Sequence, residues 1–322
     1  MPKEAKQVKN GKAFEYALLK AFLERLQEKT NVSVVENSPF LNAKNCFEKF
    51  NEKEQALYNL NSSFAVNFLI DLEPRLSNGI DSKDILQLEI VSDKKGQLGD
   101  VRDVLIIRSV QKWEIGISAK NNHRAVKHNR LSKELDFGLK WIGIKNSKTY
   151  FNEIEPIFSE LEKIKNEEKG SIWKNISNKH KRFYIPVLDA FKKELERLNS
   201  ENPDILPSQL VEYLIGKKDF YKIIKTKKKV EIQAFNIYGS LNLPFKDIKA
   251  KAKVTKLKLP DRLIEIVYKN KSQTTLLITL SEGWQFSCRI HSAATKVEPS
   301  LKFDINIVSA PHTLFTNHLL LS

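Results

Sequence analysis

Apolar residues recur at helical spacing near the start of the chain. Within residues 10–30, Phe14, Leu18 and Phe22 lie four positions apart, and charged residues stand between them. This pattern predicts an amphipathic helix that buries one face. After a short strand-like run at 32–36, two further helices are expected over 43–60 and 62–76, the second of them ended by Pro74.

Three strand-like segments follow in succession. Ile85–Ser92 alternates apolar and polar residues, Val104–Ile107 is a continuous apolar block, and Trp113–Lys120 ends in polar residues. An antiparallel meander flanked by the first helix is the simplest sheet core for three successive strands. Beyond Lys120 the alternation stops, so a loop over 121–130 and a helix near 131–140 are expected.

The remainder of the chain changes character twice. Residues 151–200 are highly charged and contain two helical patterns, whereas residues 201–322 favour β-patterns. The sequence therefore predicts an α+β fold, with a mixed central sheet flanked by helices and a β-rich C-terminal region. Three regions are expected: a catalytic core over 1–150, a helical connection over 151–200, and a basic DNA-binding region over 201–322.

The charge balance points to a polyanionic partner. Lysine and arginine number 54 against 39 acidic residues, which gives a net charge of +15 and an isoelectric point near 9.5. No apolar run approaches the roughly 20 residues that span a bilayer, and the first residues carry no apolar signal core. We therefore expect a cytoplasmic nucleic-acid-binding protein with no membrane partner. Cys46 and Cys288 are expected to be free thiols without zinc.

Polar residues gather at the ends of two of the predicted strands. Asp100 and Asp103 precede the apolar block, and Ser118 and Lys120 end the next segment. Phosphodiester hydrolysis needs a hard cation, and Mg²⁺ binds one or two carboxylates while keeping water and phosphate oxygens as its other ligands. Residues two apart on a strand point to the same face. The sequence thus predicts a Mg²⁺-dependent nuclease site in which an aspartate faces Lys120.

A carboxylate is missing from this set, because Ser118 stands where an acid two residues before the lysine is expected. Glu114 shares the strand face of Ser118, and Glu134 is expected on the following helix; of these two we favour Glu134. Glu15, near the start of the first helix, has two interpretations. It is either a solvated acid that suits the helix dipole or a side chain that points into the metal site.

Basic side chains are frequent at three further places. A cluster directly after Lys120 is interpreted as phosphate or groove contacts rather than as general bases: His123, Arg124, Lys127, His128 and Arg130. Four residues near the C-terminus are candidate DNA contacts, with the solvated face of a strand as the alternative for the first two: Arg289, His291, Lys296 and Lys302. The run Lys225–Lys229 is expected to form a solvated edge that attracts phosphate without base specificity.

Four segments together resemble the HaeIII-type family of type II restriction endonucleases, within the PD-(D/E)xK nuclease superfamily. They are GKAFEYALLKAF, GDVRDVLIIR, WEIGISAKNNHRAVKHNRLS and WQFSCRIHSAATKVEPSLKFD, the third being the most specific. The resemblance implies Mg²⁺-dependent cleavage of double-stranded DNA at the palindrome GGCC. The proline that usually precedes the aspartate is absent. Some restriction endonucleases with a Ser-x-Lys triplet take their acid from the next helix, as Glu134 would provide here.

A palindromic target favours a protein with matching two-fold symmetry, so we expect a homodimer. A cognate DNA methyltransferase, encoded nearby but not bound, is expected because an unprotected host would be cut. Two alternatives remain open. One is a PD-(D/E)xK repair or recombination nuclease that recognises structure, and the other is a basic DNA-binding protein in which Asp103 and Lys120 form a structural ion pair.

Overall fold

The computed structural model describes residues 3–78, 84–92, 100–122, 125–167, 171–292 and 294–320. The helices are α1 (Lys3–Leu26), α2 (Ser38–Glu48), α3 (Glu52–Leu72), α4 (Phe137–Ile142), α5 (Lys148–Glu167), α6 (Ile185–Glu201) and α7 (Leu206–Ile215). The strands are β1 (Val32–Val34), β2 (Leu86–Ile90), β3 (Val104–Arg108), β4 (Trp113–Asn121), β5 (Ala125–Leu131), β6 (Phe220–Lys225), β7 (Lys229–Phe235), β8 (Leu263–Tyr268), β9 (Thr275–Leu280), β10 (Gln285–His291), β11 (Leu301–Ser309) and β12 (Phe315–Leu320).

The chain divides into two units that are both discontinuous in sequence. The first comprises residues 1–124, 216–257 and 313–322, and the second comprises 125–215 and 258–312. These limits do not coincide with the three contiguous regions expected from composition. The strands after residue 216 are shared between two sheets, and strand propensity carries no information about which sheet a strand joins.

The first unit is built on a mixed sheet of seven strands in the order β1-β2-β3-β4-β6-β7-β12. Strands β2, β3 and β4 form the predicted antiparallel meander, whereas β4 pairs with β6 in parallel. Helices α1 to α3 supply the apolar residues that cover one face of this sheet. Phe14, Leu18 and Phe22 are fully buried there, which confirms the amphipathic first helix.

The boundary between α2 and α3 lies earlier than the sequence indicated. The expected break near residue 61 does not exist, because α3 continues from Glu52 to Leu72. The interruption falls at 49–51, where the Asn51 side chain accepts a hydrogen bond of 2.9 Å from the backbone N–H of Glu54. A capping asparagine starts a new helix by satisfying a donor of its first turn.

The second unit contains a five-stranded antiparallel sheet in the order β5-β11-β10-β9-β8. Aromatic side chains of the helices pack on its inner face, with ring centroids 4.6 Å apart for Phe137 and Phe191 and 4.9 Å apart for Phe191 and Phe303. Trp284 and Phe286 are fully buried core residues.

Two local predictions in the second unit were wrong. The expected loop at 121–130 contains strand β5, which pairs with β11 about 170 residues later in the chain. The expected helix near 131–140 begins only at Phe137, where Asp136 caps it through a hydrogen bond of 2.8 Å from Leu139 N–H. Helix α7 also lies in a region that was expected to be mostly β.

The α+β fold class is confirmed: helices accompany a mixed seven-stranded sheet, and a second, antiparallel sheet contains much of the C-terminal region. Both cysteines are free, with Cys288 buried. In the ranges that the structure describes, none of the helices is at once long enough and apolar enough to cross a membrane.

Candidate active site

Asp103 and Lys120 meet at one edge of the seven-stranded sheet. The backbone N–H of Ala119 donates a hydrogen bond of 2.7 Å to Asp103 Oδ2, and Lys120 Nζ donates one of 3.1 Å to the same oxygen. Ser118 Oγ donates to it more weakly, at 3.4 Å. About a quarter of each side chain stays exposed, 24% for Lys120 and 25% for Asp103. The carboxylate is therefore held in place but remains accessible to a ligand.

The alternation of β4 explains how this pair is presented. Ile115, Ile117 and Ala119 belong to the core beneath the helices. Ser118 and Lys120 consequently lie on the opposite face, since neighbouring residues on a strand alternate between faces. The pairing of Val104 with Ile117 brings the start of β3 beside the end of β4.

Glu15 adds a second carboxylate to this edge. It is only 6% exposed and accepts a hydrogen bond of 3.1 Å from Lys12 Nζ. Burial and, to a lesser degree, the nearby negative charge of Asp103 raise the pKa of Glu15 to about 7, while Lys12 and Lys120 act in the opposite direction. Helix α1 thus carries Glu15 into electrostatic range of the predicted pair.

The interpretation of Glu15 as a solvated first-turn acid was wrong. Helix α1 begins at Lys3, so Glu15 lies in its fourth turn, and the side chain is buried. Its position in the apolar pattern, next to Phe14, was the only signal of burial in the sequence. Lys12, which pairs with it, was not singled out at all.

Asp100 and Glu114 are occupied by a different partner. Arg102 donates to both Asp100 oxygens, at 2.8 Å from Nε and 2.7 Å from Nη2, and to Glu114 Oε1 at 2.8 Å from Nη1. Lys218 Nζ also donates to Glu114, at 2.6 Å. Burial by itself would raise the pKa of each carboxyl group, but these hydrogen bonds lower both. Asp100 and Glu114 therefore compensate the charge of Arg102 and do not pair with Lys120.

Gly116 makes room for this buried arginine. A Cβ atom at Gly116 would lie 2.0 Å from Cδ of Arg102 and 2.5 Å from its Cγ, far inside contact distance. The Arg102 side chain, 4% exposed, therefore crosses β4 where that strand has no side chain. The glycine in the segment WEIGISAK has a packing function.

Glu134 belongs to the second unit of the fold. It is an exposed residue in the turn between β5 and α4, not on a helix. Asp103, Lys120 and Glu15 all belong to the first.

Several candidate DNA contacts share one face of the five-stranded sheet. Register places Arg130 opposite Lys302 and Lys302 opposite His291, so these three residues form one row across β5, β11 and β10. The buried residues alternate with them and face the core. We call Arg130, Lys302 and His291 the basic row.

All three members of the basic row pair with acidic neighbours. His291 Nε2 lies 2.7 Å from Asp304 Oδ2, and Lys302 Nζ lies 3.4 Å from the other oxygen of Asp304. Arg130 binds Glu298, and also Ser300 at 2.8 Å. Arg289 is exposed opposite Asp304 and makes no hydrogen bond or ion pair within the described part of the chain. Its guanidinium group is therefore available to a ligand.

The remaining predicted contacts divide into three groups. Lys296 is exposed in the loop before β11. His123 and Arg124 lie outside the described residues, as do the side chains of Lys127 and His128, although these last two belong to β5. The run Lys225–Lys229 is not uniformly solvated as expected, because Lys225 is only 7% exposed.

The site can hold a hard cation through two carboxylates at most. No group of three or more His, Cys, Asp or Glu side chains is close enough to bind a metal ion in the part of the chain described. Asp103 Oδ1 accepts no hydrogen bond from these residues, and Glu15 repels Asp103 when both are ionised. One or two carboxylates with water and phosphate as the other ligands is the donor set that suits Mg²⁺.

Comparison with known proteins agrees with the resemblance seen in the sequence. The family model described as HaeIII restriction endonuclease matches residues 11–311. The chain is 39% identical over 307 residues to the type II restriction enzyme HaeIII of Haemophilus aegyptius, covering 95% of both chains. No solved structure is significantly similar to this chain.

Proposed function

Because the chain belongs to the HaeIII restriction endonuclease family, we propose that it is a type II restriction endonuclease that hydrolyses double-stranded DNA with Mg²⁺. The relative shares 39% identity over nearly the full length of both chains. The hydrogen-bonded pair of Asp103 and Lys120 at an open sheet edge is the observation that supports hydrolysis by this chain. The palindrome GGCC is the proposed target.

Asp103 and Glu15 are the proposed ligands of the metal. Mg²⁺, when bound, would polarise the scissile phosphate and favour ionisation of the attacking water. Asp103 is oriented by the Ala119 amide and Lys120. Lys120 Nζ, anchored on that carboxylate, would orient the water and stabilise the negative charge that develops on the phosphate.

Glu15 takes the place that we assigned first to Glu134. Asp100 and Glu114 remain weaker candidates, since both would have to exchange a guanidinium partner for the metal. Glu15 has only Lys12 as a hydrogen-bonding partner in the described residues, and it already interacts electrostatically with Asp103.

The polar face of the five-stranded sheet is the proposed DNA-recognition surface. Guanine presents O6 and N7 in the major groove, and arginine binds both atoms at once. Arg289 is exposed there and has no committed partner, whereas Arg130 is engaged by Glu298. We assign Arg289 the base contact and the basic row phosphate contacts. A homodimer would present this surface to both halves of the palindrome.

Digestion of a plasmid tests this function. The purified protein should give discrete fragments with Mg²⁺ and none with EDTA, and every fragment end should map to GGCC. The variant Lys120→Ala should bind DNA in EDTA like the wild type yet cut at least about 10²-fold more slowly. A shifted but uncut plasmid would contradict hydrolysis. Ends without a common sequence would instead favour a nuclease that recognises DNA structure.

A further inference from the structure

Lys225 ends strand β6 at the same sheet edge as the candidate catalytic lysine. Because β4 and β6 run in parallel, their last residues lie side by side: Lys120 is opposite Ile224, and Asn121 is opposite Lys225. Asn122 N–H donates a hydrogen bond of 2.8 Å to the Lys225 carbonyl oxygen, which ties the two strand ends together. The backbone position of Lys225 is therefore defined relative to the catalytic strand.

The side chain of Lys225 points to the helical side of the sheet. Its Nζ lies 4.6 Å from the centre of the Tyr58 ring, a cation–π contact with a tyrosine that is itself only 5% exposed. The Tyr58 hydroxyl donates to Asn10 Oδ1 of helix α1 at 3.4 Å. Helices α1 and α3 thus enclose this ammonium group.

No acidic side chain compensates the charge. Lys225 forms no salt bridge and no hydrogen bond through Nζ within the described residues, and burial lowers its pKa without opposition from a nearby carboxylate. Enclosing an ammonium group without a counterion is unfavourable, and a cation–π contact recovers only part of that cost. An apolar side chain of the same length would pack on Tyr58 without that cost.

The neighbouring lysines do not share this environment. Lys227 and Lys228 are exposed in the turn that follows β6. Such exposed lysines already provide solubility and a general attraction for phosphate. Neither purpose explains why Lys225 is buried. A buried, uncompensated ammonium on the last residue of the strand that pairs with the end of β4 is what an anionic ligand would complete.

We propose that Lys225 binds a backbone phosphate of the DNA next to the scissile one, at the edge where β4, β6 and α1 meet. Its four-carbon stem lets the ammonium group leave the Tyr58 ring and meet the phosphate while the stem stays packed. Lys225 is thus a substrate-positioning residue. This inference rests on the proposed endonuclease function.

The test compares Lys225→Met with Lys249→Met, an exposed lysine of the same unit. Unfolding of both variants is measured by circular dichroism. Binding to a duplex containing GGCC is then measured in EDTA at several salt concentrations where both are folded. Lys225→Met should be at least as stable as the wild type, yet should bind about 10-fold more weakly. The plot of the logarithm of its binding constant against the logarithm of the salt concentration should have a slope smaller in magnitude by about 0.9. Lys249→Met should match the wild type in both.

Three outcomes separate the possibilities. If Lys225→Met loses stability but binds and cuts normally at a temperature where it is folded, Lys225 is a structural residue and the inference is overturned. If the methionine variant fails to fold, Lys225→Gln is measured in its place under the same criteria. Wild-type protein that neither binds nor cuts DNA would contradict the endonuclease function itself, whatever the variants do.

Discussion

At the scale of single residues, the candidate site depends on how Asp103 is held. One carboxylate oxygen accepts hydrogen bonds from the Ala119 amide and from Lys120, and the other accepts none from the described chain. Asp103 is therefore oriented by the chain, and its second oxygen stays available to a ligand.

Glu15→Gln is expected to reduce cleavage about 10²-fold or more, because an uncharged amide is a poor ligand for a hard cation. The loss should be partly reversed at high Mg²⁺ concentration. Initial rates on a supercoiled plasmid across a Mg²⁺ series measure it. Glu134→Gln is the matched control and should cut like the wild type. The opposite ranking of the two variants would return the missing carboxylate to Glu134.

Arg289→Ala is expected to weaken binding to a GGCC duplex by about 1–3 kcal/mol, the worth of one bidentate contact to guanine. Binding to a duplex of scrambled sequence should change little, because non-specific affinity comes from phosphate contacts. Paired titrations with the two duplexes in EDTA measure the difference. Equal losses on both would show that Arg289 contacts phosphate instead of bases.

At the scale of elements, strand β4 combines a candidate catalytic residue with structural requirements. Its alternate residues form the core, present Lys120, and leave space at Gly116 for Arg102. Arg102 ties Asp100, before β3, to Glu114 of β4. The strand therefore tolerates few side chains at these positions.

Gly116→Ala is expected to destabilise the protein by about 1–3 kcal/mol, since its Cβ would overlap the buried Arg102 side chain. Chemical denaturation in urea measures the free energy of unfolding. Gly11→Ala is the control: no atom lies within 4 Å of a Cβ at Gly11 in helix α1. That substitution should stabilise by up to about 1 kcal/mol. Similar effects of both would exclude the steric role of Gly116.

A second element-level prediction concerns the junction of α3 with β6. Burial raises the pKa of Glu73 to about 7 from its ordinary 4.5, although the Tyr221 hydroxyl donates to it at 2.6 Å. Because the unfolded chain loses this proton near pH 4.5 and the folded chain only near pH 7, Glu73 lowers the free energy of unfolding increasingly between these two values. Above about pH 7 the loss is complete.

The variant Glu73→Gln should therefore gain stability relative to the wild type as pH rises from 5 to 8, by up to about 3 kcal/mol. The amide can still accept the hydrogen bonds from Tyr221 and Asn242. Urea unfolding at both pH values gives the difference. A constant difference between variant and wild type across this range would show that Glu73 is ionised in the folded protein.

At the scale of the whole molecule, the net charge of +15 suits a polyanionic substrate. Two sheets in separate units carry the candidate chemistry and the candidate recognition surface, respectively. Family membership covers both units, because the matched residues 11–311 include most of each.

DNA binding is expected to weaken steeply with salt. The logarithm of the binding constant should fall linearly with the logarithm of the salt concentration, with a slope of about −0.9 for each phosphate contact. Fluorescence titrations between about 50 and 200 mM salt in EDTA provide the slope. A slope near zero would mean that the basic row and the other surface cations do not contact the DNA backbone.

The sequence by itself determined the features that depend on neighbouring residues. Periodicity identified α1 and the meander β2-β3-β4, and the polar ends of β3 and β4 identified Asp103 and Lys120. The short turn over residues 109–112 favours pairing of β3 with β4, so the juxtaposition of their polar ends could be predicted. The resemblance to the family also followed from contiguous segments.

The tertiary structure decided what depends on distant residues. Strand β5 was missed because its partner β11 lies far along the chain, and Glu15 and Lys225 were misjudged because packing of helices against the sheet buries them. The periodicity of the sequence indicates which face of a helix or strand is apolar. It does not indicate which other element packs on that face. The burial of Glu15 near Asp103 and the enclosure of the Lys225 ammonium group therefore became visible only when α1, α3, β4 and β6 were brought together.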